Sequence, residues 1–156
     1  MKPITRATIL AAISLCLFAA LASAQTKHPD LTGTWKMNPE KSQFERGGPS
    51  AITLKIDHKE PAISETLMLV TDGGDRSVEA KYTTDGKETA QEVIGTTAQT
   101  SAKWEGDALT IDWKIENASF SRKITVSADG KTMTMIVKQS NPNGESATDT
   151  VVLEKQ

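Results

Sequence analysis

The sequence is poor in the residues that carry most chemistry. Only one of its 156 residues is cysteine, Cys16, and only two are histidine, His28 and His58. Cys16 falls inside an apolar run near the start, so a chain cleaved after that run has no disulfide, thiolate ligand or cysteine nucleophile and rests on its core alone. The histidines lie far apart with no cysteine beside them, which leaves no recognisable metal spacing. No G-x-S-x-G, glycine-rich phosphate loop or S-x-x-K occurs, so hydrolase and nucleotide-binding readings have no residue to stand on. Basic runs are missing as well. No stretch keeps a helical period for long, and the aromatic residues are three Trp, three Phe and one Tyr.

What is present begins with a leader. Residues 1–24 combine a basic start (Lys2, Arg6), an apolar run from about Ile9 to Leu21, and Ala22-Ser23-Ala24 before Gln25. That is the plan of a secretory signal peptide with an A-x-A cleavage site, and the run is shorter than the roughly 20 residues a membrane span needs. Leu15 stands where a lipoprotein signal wants a small residue, so Cys16 is read as an apolar leader residue. The expectation is a secreted or periplasmic protein with no transmembrane span in the mature chain. Removing the leader takes away two of the 18 basic residues and none of the 20 acidic ones, leaving 132 residues with a balance of −4. That length suits one domain, and the mild acidity argues against nucleic acid or an anionic membrane as partner.

Residues 25–30 form a polar lead-in expected to be loosely ordered. The domain, residues 31–156, opens on a stretch in which Leu31, Gly33, Trp35 and Met37 share one side of an extended strand, a large indole beside a gap. Asn38-Pro39-Glu40 has an N-cap residue, Pro at the first helical position and an acid behind it, and predicts a short helix toward Phe44, ended by Gly47-Gly48-Pro49. From Ala51 onward the period is two. Asp72-Gly73-Gly74, Asp85-Gly86, Asp129-Gly130 and Asn141-Pro142-Asn143-Gly144 punctuate the alternating runs, and Asp-Gly signals a hairpin because type I′ turns need positive φ. Consecutive hairpins make a meander whose one apolar face must be closed off from water. The expected fold is all-β, an antiparallel up-and-down barrel of about 8–10 strands with one short helix after the first strand; a two-sheet sandwich is the competing architecture.

Gly33-Thr34-Trp35 matches the G-x-W opening of the calycins, and Leu31 to Lys36 resembles the first strand of a fatty-acid-binding protein. Lys103-Trp104-Glu105-Gly106-Asp107 and Val152-Leu153-Glu154-Lys155 are similar to late stretches of that family. The resemblance implies a lipocalin-like barrel that binds a small hydrophobic molecule, in the manner of small bacterial secreted lipocalin-like proteins. It departs from the family in three places. Asn38 to Pro49 has room for one short helix, not two. Val151 and Leu153 occupy the places of the final-strand Arg and Tyr that hold a ligand carboxylate. No Arg follows Arg122 to pack on the G-x-W indole. The architecture therefore carries over and the family's binding residues do not.

Parity along the strands supplies the candidate site. Trp35, Tyr82, Trp104, Trp113, Phe120, Met133 and Met135 fall on the inward side, with Leu67 and Leu69, and form either an adaptable apolar pocket or simply the core. Arg122 shares the parity of Phe120, Ile124 and Val126 and must be paired if buried. Glu65 and Asp149, also on inward parities, would make it an internal ion pair; the anionic head group of a ligand is the functional reading; a bulge near Ser119 would turn it outward. His58 sits at a strand end beside Lys59-Glu60-Pro61 and reads as a rim residue, and His28 lies outside the barrel. No catalytic residue, metal site or cofactor is expected. The leading function is a monomeric, non-enzymatic carrier of a small hydrophobic or amphipathic molecule, and the alternative is a solid-core interaction or structural module of the cell envelope.

Overall fold

The structure, a computed structural model, describes residues 28–93 and 95–156. The leader and residues 25–27 lie outside the described residues. Among the described residues ten strands succeed one another: β1 (Gly33–Met37), β2 (Ala51–Lys59), β3 (Ala62–Thr71), β4 (Gly74–Thr83), β5 (Thr89–Val93), β6 (Thr96–Glu105), β7 (Ala108–Ile115), β8 (Ala118–Val126), β9 (Thr132–Ser140) and β10 (Ser146–Lys155). They form one sheet in the order β4-β3-β2-β1-β10-β9-β8-β7-β6-β5. Every pairing is antiparallel. Because β4 and β5 are consecutive in the chain yet terminate the sheet on opposite sides, the sheet must curl until they meet. At that seam the Lys81 amide donates to the Gln91 side-chain oxygen at 3.2 Å, and Asp85 bridges to Lys103. The result is a nearly closed barrel, which sets aside the sandwich.

The register holds the alternation in place. Trp35 lies opposite Leu54 on β2 and Lys155 on β10, so the indole enters the interior beside a leucine that is also fully buried. Arg122 lies opposite Ile111 and Val137 with no interruption on either flank of β8. A bulge at Ser119 is therefore absent, and the guanidinium points inward.

The short helix after β1 is not formed. Asn38 does act as the cap its type predicted, its side-chain oxygen accepting the amides of Glu40 and Lys41 at 3.1 and 3.2 Å. Beyond the cap, the sheet captures the chain instead. Strand β10 runs on past the end of β1, and its open edge takes the Asn38 amide at Val152 and both backbone groups of Gln43 at Thr150. Unpaired strand edges demand partners, and this one outcompetes a single turn of helix, whose nucleation is costly. Phe44 then packs on the core, and Gly48 is needed beneath it, since a Cβ there would collide with the ring.

The barrel has two unlike ends. At the end bearing the β2–β3, β4–β5, β6–β7 and β8–β9 turns, the interior is filled by Leu31, Trp35, Ile63, Leu109, Ile124, Met133 and Leu153, none more than 2% exposed. Each such side chain is worth about 1.5–3 kcal/mol of burial. Toward the other end, inward residues of β3 to β8 are left half-buried: Leu67, Leu69, Val78, Val93, Ile115 and Phe120. The segment between β1 and β2 bonds along β10 at Thr148, Asp149 and Thr150, and Ile52, Ala147 and Asp149 are buried.

Candidate functional site

Four of the residues singled out by parity meet midway along the barrel. Phe120, on β8, sets its ring edge-on to Trp113 of β7, with centroids 5.2 Å apart. Tyr82 of β4 approaches the same indole edge-on at 5.7 Å. The Arg122 guanidinium lies over Trp113, 5.1 Å from the ring centre. Such contacts add about 0.5–1.5 kcal/mol for each aromatic pair beyond plain burial. Half-buried Phe120 thus leads from the open end of the barrel to a charged group at its middle.

Arg122 is paired as the internal reading required. Its Nη2 donates to both Glu65 oxygens at 2.6 Å, and the two side chains are 3% and 4% exposed. Glu65 lies on β3, five strands away from β8 in the sheet order, so the pair is a strut across the lumen. The Tyr82 hydroxyl donates to the same carboxylate at 3.0 Å. Burial opposes charging Arg122, but the Glu65 charge and its hydrogen bonds outweigh that and hold the guanidinium more firmly protonated than usual. For Tyr82, burial and then the neighbouring carboxylate both push the phenol upward, so it stays a donor. Asp149 plays no part in this pair; it accepts the Glu45 amide at 2.9 Å and Gln139 Nε2 at 3.3 Å. Among the described residues, Arg122 Nε is buried without a partner.

The other candidates lie elsewhere. Trp35 and Met133 are fully buried and Met135 is 3% exposed, so these three are packed core. Trp104 ends β6 at the filled end. There its indole N–H donates to Glu60 Oε1, and its face stacks on His28 at 4.4 Å with the rings parallel. His58 packs at a tilt against the same indole and reaches Glu60 through Nε2 at 3.0 Å. His28 lies ahead of the first strand and packs on the Trp104 ring at the barrel's rim, so the lead-in is docked there from His28 onward. Open depressions among the described residues lie along β1 to β5 and beside Trp104 and Glu60. Neither coincides with the half-open end of the barrel.

Parity reasoning missed Val78, Val93 and Ile115 as lining residues. Their inward positions were readable, but the sequence does not reveal which end of the barrel stays uncovered. It also missed Lys155. Its Nζ lies over the Trp35 ring, 5.2 Å from the centre, and its stem runs where a Cβ on Gly33 would come within 2.7 Å. Gly33 has φ of 143°. A lysine from the last strand therefore covers the G-x-W indole.

No family model matches the sequence, and no curated protein does. Solved structures match over most of the chain. A secretory abundant heat soluble protein from Ramazzottius varieornatus is 11% identical with a TM-score of 0.63, covering 84% of this chain and 98% of its own. The REP1-NXSQ fatty acid transporter is 17% identical with a TM-score of 0.59, covering 81% and 96%. Fatty-acid-binding protein 1 of Echinococcus granulosus is 14% identical with a TM-score of 0.58, covering 80% and 96%. The chain therefore has a calycin-like β-barrel fold, as its first strand suggested. At these identities the likeness is one of fold.

Proposed function

We propose that the chain is an exported, monomeric carrier that takes a small hydrophobic or amphipathic molecule into the half-open end of its barrel and performs no chemistry on it. One observation carries this reading. Leu67, Leu69, Val78, Val93, Ile115 and Phe120 all face inward and all remain partly open to solvent. Apolar groups that converge on a concavity and stay wet are what an apolar ligand gains most by covering. Fatty-acid-binding and fatty-acid-transporting proteins share the fold, which supports the same reading. The signal-like leader supports export. Native mass spectrometry of protein purified from its own host is the direct test. A co-purified small molecule supports the proposal, and a bare protein that also leaves Trp fluorescence unchanged across a lipid panel overturns it.

A second reading, a solid-core interaction or structural module, is favoured by the filled half of the barrel. On that reading the loops carry the function. Recovery of a specific protein partner from periplasm or medium, with no lipid response, would establish it instead.

A further inference from the structure

The ion pair at the middle of the barrel bears on what kind of molecule the open end accepts; this rests on the carrier reading. We propose that the site selects an uncharged single-chain amphiphile, one with a hydroxyl, ester or carbonyl head, over the carboxylate of the same chain length. The cation that would attract a carboxylate is already taken. Arg122 Nη2 holds both Glu65 oxygens at 2.6 Å, and Tyr82 holds one of them as well. A ligand carboxylate must therefore displace Glu65, leaving a second buried carboxylate without its partner, and breaking a buried pair in this way is heavily unfavourable.

The charge inside the barrel points the same way. Buried groups on inward parities are one cation, Arg122, and two carboxylates, Glu65 and Asp149. The two carboxylates outnumber the one buried cation, so a further anion meets repulsion that water screens poorly there, while Arg76, on the same parity opposite Leu69, is exposed and screened by solvent. An uncharged oxygen avoids both costs. It also supplies what Arg122 lacks, since Nε is a buried donor with no acceptor among the described residues, and an unmet buried donor favours any acceptor that reaches it. Phe120 packs edge-on to Trp113, and Trp113 lies under the guanidinium, so a run of aromatic surface joins half-buried Phe120 to Arg122.

The test is displacement of Nile red from the purified protein by hexadecanol and by hexadecanoate, well above the acid's pKa. The expected result is an alcohol that competes about tenfold or more better than the acid. In Glu65→Gln, which frees the guanidinium, the order reverses. Should that variant not fold, Tyr82→Phe weakens the hold on Glu65 and should narrow the preference. An acid that competes as well as or better than the alcohol in the unmodified chain overturns the selectivity while leaving the carrier reading intact. A preference that neither variant alters overturns the assignment to Glu65. Nile red that never binds sinks the carrier reading and this inference with it.

Discussion

Arg122 and Glu65 show how much a single residue can constrain. Breaking the pair from one side leaves a buried charge alone, so Glu65→Ala should cost about 3–5 kcal/mol, whereas Glu65→Leu combined with Arg122→Met should cost far less. Urea melts of Glu65→Ala, Arg122→Met and the double variant check this; equal losses in all three would contradict the strut. Lys155 is a milder case. In the same melts, Lys155→Ala should cost about 0.5–1 kcal/mol by uncovering the Trp35 ring. Gly33→Ala should cost more, because its backbone conformation disfavours a side chain and the Lys155 stem must move. The inward aim of Arg122 was readable from its parity with Phe120 and Ile124. Its choice of Glu65 over Asp149 was not. That choice depends on which strands face each other across the barrel, and on the Glu45 amide and Gln139 having already claimed Asp149.

Among the elements, the segment from Asn38 to Phe44 is where local and tertiary signals part. Its cap residue and proline read locally as a helix, and its cap bonds do form. Tertiary demand then overrode the local signal, because β10 is longer than β1 and its leftover edge had to be paired. Gln43→Pro removes the amide that Thr150 accepts; a loss of about 0.5–1.5 kcal/mol is expected on the scale of one intramolecular hydrogen bond. Hydrogen exchange at the Thr150 amide, which donates to the Gln43 carbonyl, should quicken with it. The strands themselves were legible because alternation and Asp-Gly turns encode them locally. At the opposite end the lead-in behaves as a clasp. His28 of the lead-in stacks on Trp104, and Glu60 holds that indole in place, accepting from Trp104, His58 and Thr84. Burial alone would raise its pKa, but the hydrogen bonds from Thr84, His58 and Trp104 outweigh that and lower it below 4.5. A carboxylate stabilised in this way contributes fully above its unfolded value and stops contributing as pH falls through the lower folded one. Acidification through its lowered pKa should therefore loosen the hold on Trp104, seen as a change in Trp104 emission that Glu60→Gln shows already at neutral pH. An emission unchanged from neutral to strongly acidic pH would contradict it.

The whole molecule is a barrel of two halves, one packed solid and one left open, with a charged strut between them. Alternation made the closed wall predictable. The asymmetry was not predictable, because it depends on how far the Asn38 to Ser50 connection reaches across one rim, and that connection bonds along β10 and at Val70 of β3 while inward residues of β3 to β8 stay half-buried. The proposed carrier function is assigned to the half with the half-buried apolar residues. The most direct measurement is an NMR titration of the labelled protein with hexadecanol, monitoring backbone amides and the three indole N–H signals. Shifts are expected at Leu67, Leu69, Val93, Ile115 and Phe120 and at the Trp113 indole, with Trp35 silent. Shifts confined to outward-facing residues, or none at all, would contradict a ligand seated in the open half.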